Sequence, residues 1–304
     1  MMKTAVGLIG LGAMGSGMAG SLRRAGHDVH VFDIRPGVAS AFAAQGGHAC
    51  DTLAELASAC DVVVSVVVNA AQTEEVLFGP QRNGTGCAAH MKPGSTFVMC
   101  STVDPQFSVR LETELEAMGL HYVDAPISGG AARAASGEMT MMTAAKPEAY
   151  ARAGHLLDAM AAKVYRLGDC AGAGSKVKII NQLLAGVHIA AAAEAMALGL
   201  REGVNAHDLY EVITHSAGNS WMFENRMAHV LAGDYTPLSA VDIFVKDLGL
   251  VLDTARASKF PLPLSSTAHQ MFMQASTAGH AREDDSAVIK IFPGITLPEG
   301  TKKA

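Results

Sequence analysis

The chain has 304 residues, of which 49% are hydrophobic and 17% charged, with a formal net charge of -6 at pH 7. This length exceeds what one hydrophobic core usually supports, so we expect two domains, and the composition excludes wholesale disorder. The acidic balance and the absence of any Lys/Arg run argue against a nucleic acid partner.

Short runs rich in β-branched residues alternate with helical patterns from the start of the chain to about residue 167. The runs are TAVGLIG, DVHVFD, DVVVSVV, STFVMC, LHYVDA and KVYRLG. Such alternation predicts crossover units, and therefore an α/β, Rossmann-type, doubly wound sheet that is mainly parallel and has helices on both faces. The run from Val63 to Val68 should be a strand buried on both sides. We place this dinucleotide-binding domain at residues 1–167.

The sequence after residue 167 changes character. From Ser175 onward it has only long helical patterns rich in Ala, Leu and Met, which predict an all-helical domain over residues 168–304. The first of these helices should run from about Ser175 to Gly203, roughly 40 Å. We expect it to join the two domains and to line a cleft between them. The apolar run Leu183–Leu200 is interrupted by polar residues, so we predict no membrane span.

A glycine-rich loop, Gly10-Leu11-Gly12-Ala13-Met14-Gly15, follows the first predicted strand and opens a helix. In the G-x-G-x-x-G fingerprint the glycines allow a tight turn, close approach of the backbone to a pyrophosphate, and close packing of the helix on the strand. The helix N-terminus offers unpaired N–H groups to the phosphates. The alternative is a glycine-rich turn without a ligand, but the strand, the helix and a following acidic residue together favour a dinucleotide site.

That acidic residue is Asp33, which ends the second predicted strand 21 residues after Gly12. A carboxylate at this position binds the adenosine ribose and repels the 2′-phosphate of NADP. Arg35 gives the opposite signal, because a guanidinium can bind that phosphate. We predict NAD as the cofactor.

Five motifs occur in order along nearly the whole chain: GLGAMGSGMA, STVDP, DAPISGGAARAASGEMTMM, GAGSKVKIINQ and FVKDLGLVLD. Together they resemble the β-hydroxyacid dehydrogenase family, which includes 3-hydroxyisobutyrate dehydrogenase and tartronate semialdehyde reductase. The resemblance implies an NAD-dependent oxidoreductase that acts on a small hydroxy acid and forms a homo-oligomer, a dimer or a tetramer.

By this resemblance Lys178 is the catalytic residue. It would handle the hydroxyl proton as hydride leaves the substrate carbon. Asn181 and Gln182 lie one turn further along the same predicted helix and would bind the substrate with Lys178; many family members have Asn where this chain has Gln182. On the residues alone, Lys178 could equally be a solvated helix lysine like Lys176.

The resemblance also assigns Ser128, Gly129 and Gly130 to the substrate carboxylate, since two glycines let backbone N–H groups approach a ligand closely. The plainer alternative for this loop is an ordinary turn after a strand.

Two further cofactor-binding residues come from the same resemblance. Thr102 would lie near the nicotinamide end of the cofactor, and Lys246 would reach the cofactor from the second domain. The alternatives are a hydroxyl that merely precedes a helix for Thr102, and a surface charge paired with Asp242 for Lys246.

The segments SAVDIFVKDLGLVLDTA and REDDSAVIKIF resemble the branch of the family that oxidises L-threonate to a 2-keto acid, which is therefore the expected reaction. Tartronate semialdehyde reduction and 3-hydroxyisobutyrate oxidation share the same motifs and stay open. An imine reductase shares the fold but typically lacks the helix lysine, so Lys178 argues against it. A non-catalytic dinucleotide-binding scaffold is an alternative of a different class.

Metal and redox signals are weak in this sequence. The twelve histidines form no H-x-x-x-H pair and have no carboxylates at metal-ligand spacing, so we predict no metal. The five scattered cysteines form no C-x-x-C pair, which indicates neither a disulfide framework nor a zinc site and favours the cytoplasm.

Overall fold

A computed structural model describes residues 4–299 of the chain. The chain divides into two compact units, Met1–Lys178 and Ile179–Ala304. Each unit has its own hydrophobic core.

The first unit contains a parallel sheet of six strands. They are β1 (Ala5–Ile9), β2 (Asp28–Phe32), β3 (His48–Ala49), β4 (Val62–Ser65), β5 (Thr96–Met99) and β6 (His121–Asp124). Their order is β3-β2-β1-β4-β5-β6, and every neighbouring pair is parallel. This is the strand order of a Rossmann-type doubly wound fold, so the predicted fold class is confirmed.

The strands at the centre of the sheet are fully buried. All four residues of β4 are buried, and so are all four of β5. The sequence predicted a longer strand, up to Val68. The strand ends at Ser65 instead, because its partner β1 ends at Ile9, the residue that pairs with Ser65.

Among the described residues, seven helices lie wholly in the first unit. They are α1 (Gly15–Arg24), α2 (Val38–Ala43), α3 (Leu53–Ala59), α4 (Ala70–Phe78), α5 (Pro105–Ala117), α6 (Gly130–Ser136) and α7 (Pro147–Met160). Short 3-10 turns occupy Pro80–Arg82 and Cys87–His90. Several helices begin where a side chain accepts a hydrogen bond from the first turn: Thr52 for α3, Asn69 for α4 and Asp104 for α5.

A second, three-stranded sheet lies in the same unit, formed by β7 (Ile127–Ser128), β8 (Met139–Thr143) and β9 (Ala161–Arg166). Strand β7 is antiparallel to β8, and β8 is parallel to β9. The run KVYRLG, which forms most of β9, is therefore outside the main sheet. Its residues are mostly exposed, unlike those of a central strand.

The second unit is helical, as predicted. Helix α8 (Ala173–Arg201) begins in the first unit and continues into the second, followed by α9 (Ala206–Thr214), α10 (Trp221–Ala232), α11 (Val241–Ala257) and α12 (Pro263–Ala275). A π-helical turn at Ser276–His280 and a 3-10 stretch at Asp285–Ile291 complete it. In the described part of this unit, Ala240 and Asp284 form an isolated antiparallel β-bridge.

Helix α8 has 29 residues, close to the predicted length. By length and composition it is apolar enough to cross a membrane, and 44% of its most apolar window is buried inside the protein. The helix supplies Ile189, Ala193 and Met196 to the core of the second unit. We therefore interpret it as a core helix.

The last residue of β6, Asp124, holds the start of α8. Its side chain is fully buried; Oδ2 accepts hydrogen bonds from the backbone N–H groups of Gly172 and Ser175, both at 2.9 Å, and Oδ1 accepts one from the Ser175 hydroxyl at 2.7 Å. A Cβ on Gly174 would lie 2.3 Å from the carbonyl oxygen of Met142, so only glycine lets the helix start this close to β8. Asp124 thus caps α8 from a neighbouring strand.

We predict that Asp124→Ala lowers the free energy of unfolding by about 3 kcal/mol or more, because buried N–H donors lose their acceptor. Asp124→Asn should lower it by about 1 kcal/mol or less, since the amide oxygen can still accept from both N–H groups. Urea unfolding of both variants measures the difference. A loss below about 1 kcal/mol for the alanine variant would contradict the assigned role.

The stability of the wild type and that of Asp124→Asn should depend differently on pH. Burial raises the pKa of Asp124, and the hydrogen bonds from Ser175 and Gly172 oppose that rise. Above about pH 4, where the unfolded carboxyl has lost its proton, the folded state binds more protons than the unfolded state. The free energy of unfolding of the wild type, relative to Asp124→Asn, should therefore fall as pH rises from about 4 toward neutrality. Urea titrations at a series of pH values test this sign.

Candidate active site

The loop after β1 has the backbone shape that its first glycine requires. Gly10 has a φ of +92°, and a Cβ there would lie 2.6 Å from the carbonyl oxygen of Val66. Its N–H donates to the carbonyl oxygen of Phe32 at 2.9 Å, which ties the turn to the end of β2. Both the dihedral angle and the close contact exclude a side chain at this position.

The other two glycines of the loop have opposite surroundings. A Cβ on Gly15 would lie 1.8 Å from the carbonyl oxygen of Gly10, so this glycine is needed for the helix to pack against the turn. A Cβ on Gly12 would meet no atom within 4 Å. Gly12 is therefore not required by packing inside the protein, and it leaves open the space that a pyrophosphate would take.

The first turn of α1 is suited to an anion. Met14 occupies the N-cap position and makes no side-chain capping hydrogen bond, and the first turn contains no acidic residue. The positive end of the helix dipole is therefore available to a phosphate. The loop fits the phosphates of a dinucleotide.

Asp33 lies just after β2, next to this loop, and its side chain is 5% exposed. Its Oδ2 accepts a hydrogen bond from the Leu11 N–H at 2.7 Å. Arg35 donates three times, from the backbone N–H and Nε to Oδ1 and from Nη2 to Oδ2, all at 2.9 Å. Chiefly through the side-chain hydrogen bond from Arg35, the pKa of Asp33 falls to about 2. The carboxylate is therefore ionised at any physiological pH.

Arg35 and a ribose would compete for Asp33. A carboxylate offers about four acceptor positions, and four donors already use those of Asp33. A ribose hydroxyl must therefore displace at least one donor of Arg35. The Arg35 side chain is 57% exposed, so it has room in solvent to move aside.

Thr102 follows β5 at the carboxyl edge of the main sheet. Its neighbour Ser101 is buried, donates to the Val67 carbonyl oxygen at 2.8 Å and lies 3.1 Å from the Thr73 hydroxyl. The capping residue of α5 is Asp104, which accepts from the Gln106 N–H at 2.6 Å. Helix capping therefore does not explain Thr102.

The loop predicted to hold a carboxylate joins β7 to α6. Ser128 ends β7, Gly129 has a φ of +133°, and Gly130 has a φ of +74° and begins the helix. A Cβ on Gly130 would meet no atom within 4 Å. The positive dihedral angles explain both glycines, and the open space beside Gly130 leaves room for a small ligand.

Two lysines near the start of α8 differ in exposure. Lys178 is 6% exposed, whereas Lys176 is an exposed residue on the same turn. A solvated surface lysine is thus the right description of Lys176 and the wrong one for Lys178. Because Asp124 binds Ser175, the backbone of Lys178 is held less than one helical turn from the anchor at the carboxyl end of β6.

In the second unit a buried carboxylate organises the other predicted residues. Asp247 is 1% exposed; its Oδ2 accepts from Gln182 Nε2 at 2.5 Å, and its Oδ1 lies 2.5 Å from Lys246 Nζ. Gln182 Oε1 in turn accepts from Asn181 Nδ2 at 3.1 Å. Four polar side chains on α8 and α11 therefore form one connected group.

One expectation about this group is wrong, and one of its members was not predicted from the sequence. The suggested pairing of Lys246 with Asp242 is wrong: Lys246 pairs with Asp247, while Asp242 accepts from the Ser276 hydroxyl at 2.6 Å. Asp247 itself was missed. Its position directly after Lys246 on a helix gave no hint that it would be buried against α8.

The main sheet brings the predicted cofactor residues of the first unit to one edge. The glycine loop follows β1, Asp33 follows β2 and Thr102 follows β5, and the carboxyl ends of parallel strands lie at the same edge of a sheet. The anchor of α8 is at the end of β6, on this edge as well. A parallel sheet of this order with a glycine loop and an acidic residue at its edge defines a nicotinamide dinucleotide-binding oxidoreductase.

Comparison with known proteins agrees. A family model described as the NAD binding domain of 6-phosphogluconate dehydrogenase matches residues 5–168. A second, described as NAD-binding of NADP-dependent 3-hydroxyisobutyrate dehydrogenase, matches residues 172–292. The chain belongs to the β-hydroxyacid dehydrogenase family and is an NAD-dependent hydroxyacid dehydrogenase.

Individual relatives cover nearly the whole chain. L-threonate dehydrogenase of Cupriavidus necator is 68% identical over 98% of this chain and 99% of the relative. L-threonate dehydrogenase of Escherichia coli is 54% identical over 96% of each chain. A crystal structure of 3-hydroxyisobutyrate dehydrogenase from Salmonella typhimurium is 55% identical and superposes with a TM-score of 0.90, covering 94% of this chain and 99% of that one.

We predict that alanine at Gly12 impairs cofactor binding, whereas alanine at Gly15 impairs folding stability. Gly12→Ala should change the free energy of unfolding by less than about 1 kcal/mol and weaken NAD binding at least about tenfold, because its methyl group enters the pyrophosphate space. Gly15→Ala is the matched control, with an expected loss of about 2 kcal/mol or more from its clash with Gly10. Urea unfolding and NADH fluorescence titration measure both. Wild-type NAD affinity in Gly12→Ala would show that the loop does not hold the pyrophosphate.

Proposed function

We propose that the protein oxidises the C2 hydroxyl of L-threonate to the 2-keto acid with NAD. The observation that carries the chemistry is the burial of Lys178 on a helix anchored at the cofactor edge of the sheet. The proposed substrate is supported by five relatives named L-threonate dehydrogenase, which are 51% to 68% identical to the chain.

Lys178 is the proposed acid/base. NAD, when bound, accepts the hydride from the substrate carbon. The hydroxyl on that carbon must lose its proton in the same reaction, and a positioned amine can accept it. Burial favours this role, because an amine shielded from bulk water exchanges its proton with a bound substrate rather than with solvent.

The other predicted residues are proposed to hold the two ligands. Ser128, Gly129 and Gly130 would bind the substrate carboxylate through backbone N–H groups and the serine hydroxyl. Asn181 and Gln182 would bind substrate hydroxyl groups. These assignments are supported by the family resemblance, by the open space beside Gly130, and by the hydrogen bonds that connect Asn181 and Gln182 to Asp247.

Thr102 and Lys246 are proposed cofactor contacts, and Asp247 is a proposed positioning residue. Its ion pair with Lys246 and its hydrogen bond with Gln182 fix two functional side chains at once. A buried carboxylate with two such partners restricts their rotamers, which reduces the entropy lost when a ligand binds.

The two units have different proposed roles. The first binds the dinucleotide, and the second contributes substrate-binding residues and supports a dimer or tetramer. All five cysteines are free thiols and four are buried, which supports a protein that works in a reducing cytoplasm.

A second candidate substrate is 3-hydroxyisobutyrate, because the Salmonella relative of 55% identity is described as a dehydrogenase of that acid. NADH appearance with L-threonate, 3-hydroxyisobutyrate and glycerate separates the candidates. We expect the highest kcat/KM with L-threonate. A higher value with either of the other acids would refute the proposed substrate while leaving the reaction class intact.

The position of oxidation has its own test. L-threonate carrying deuterium at C2 should transfer the label to NAD and show a primary kinetic isotope effect, whereas deuterium at C3 should stay in the product. The mass of the reduced cofactor reports the transfer directly. Label transfer from C3 would show that the other hydroxyl is oxidised.

We predict that Lys178→Ala lowers kcat at least about 100-fold and leaves NAD affinity within about twofold, because the side chain acts on the proton rather than on the phosphates. Lys176→Ala is the matched control, two residues away and exposed, and should retain wild-type turnover. Steady-state kinetics and NADH titration check both variants. Turnover of Lys178→Ala above a hundredth of the wild-type value would exclude the amine as the acid/base.

Asp33 should determine the choice of dinucleotide. We predict that Asp33→Asn lowers the ratio of kcat/KM for NAD to that for NADP at least about tenfold, because it removes a charge that repels the 2′-phosphate and releases Arg35 to bind it. Arg35→Ala should shift the ratio toward NAD. If the wild type already prefers NADP, the proposed cofactor preference is wrong.

A further inference from the structure

Three potential metal ligands project from one face of the sheet at its outer edge. Asp28 and His30 alternate with buried valines along β2, so both lie on the same face of that strand. His48 in the edge strand β3 is the register partner of His30. Residues paired in adjacent strands point to the same side, so the three side chains converge.

Their ligand atoms are already close together. His48 Nε2 lies 3.1 Å from Asp28 Oδ1, and His30 Nε2 lies 3.9 Å from Asp28 Oδ2. One ligand atom from each residue can be chosen so that all lie within 4.8 Å of one another. Two ligands bound to zinc at tetrahedral angles are about 3.4 Å apart. The His48 side chain is 58% exposed, so it can rotate to close the remaining gap.

Each ring nitrogen of His30 has its own neighbour. Cys50 Sγ lies 3.9 Å from Nδ1, whereas Nε2 is the nitrogen near Asp28. With the proton on Nδ1, the ring donates to this sulfur and directs the lone pair of Nε2 toward Asp28.

The two imidazoles lie side by side next to one carboxylate. The rings of His30 and His48 are stacked, with centroids 4.6 Å apart, and Asp28 supplies the carboxylate oxygens.

We propose that Asp28, His30 and His48 bind one divalent transition-metal ion of the zinc type, with water completing the coordination. Two imidazoles and one carboxylate suit Zn²⁺, Co²⁺ or Ni²⁺ and do not suit Mg²⁺ or Ca²⁺, which prefer all-oxygen sites. A motif such as H-x-x-x-H, which places two ligands on one helix, does not reveal this group, because its members lie on two neighbouring strands. Nothing in the dehydrogenase chemistry requires it.

The position of the site predicts a structural effect. It joins the two-residue edge strand β3 to β2, whereas Asp33 lies beyond the opposite end of β2 from Asp28. A bound ion should therefore raise the Tm, because it binds the folded state alone. It should leave NAD affinity unchanged.

Isothermal titration of Zn²⁺ into the untagged, chelator-treated full chain tests the proposal. We expect one ion per chain with a micromolar or lower Kd, unaffected by excess Mg²⁺. His48→Gln should weaken binding at least about tenfold and abolish the rise in Tm. His121→Gln is the matched control, a histidine on β6 at the other edge of the same sheet, and should bind as the wild type does.

Co²⁺ gives a second readout, since a four-coordinate site produces intense visible absorption and a hexaaquo-like site does not. His48 is exposed, so His48→Gln should fold, which NAD binding verifies. If it does not fold, Asp28→Asn takes its place. Equal Zn²⁺ affinity in the wild type and His48→Gln would overturn the proposal. So would millimolar binding, or only a weak, six-coordinate Co²⁺ spectrum.

Discussion

The buried carboxylate of Asp124 fixes where α8 begins, and the position of Lys178, the proposed acid/base, follows from it. Three hydrogen bonds converge on this side chain, two of them from backbone groups that would otherwise be unsatisfied at a helix start. Lys178 comes three residues after Ser175, so its backbone can move little relative to the sheet. Burial penalises the charge of Asp124, and these donors offset part of that penalty.

The rest of the site depends on the same edge of the sheet. Gly10 and Gly15 are constrained by contacts within the protein, whereas Gly12 is constrained by none. A sequence that keeps glycine where the fold does not need it leaves space for a ligand, and this space lies at an uncapped helix start. In the second unit Asp247 has the corresponding organising role, since it connects Gln182 with Lys246.

Features that depend on neighbouring residues in sequence could be predicted, and features that depend on tertiary pairing could not. The alternation of strands and helices, the glycine loop with Asp33, and the long helix carrying Lys178 all follow from local patterns. The placement of KVYRLG in a separate sheet depends on its pairing with β8, which lacks a β-branched run. The burial of Asp247 and the convergence of His30 with His48 arise only when distant segments pack.

The most direct test of the account is a crystal structure of the protein with NADH and L-threonate bound. The measurement is the distance from Lys178 Nζ to the C2 hydroxyl oxygen of the acid. If Lys178 is the acid/base, this distance should be that of a hydrogen bond, about 3 Å, with C2 facing the nicotinamide ring. An amine that points into bulk water, or that lies beyond hydrogen-bond reach of that oxygen with no water between them, would contradict it.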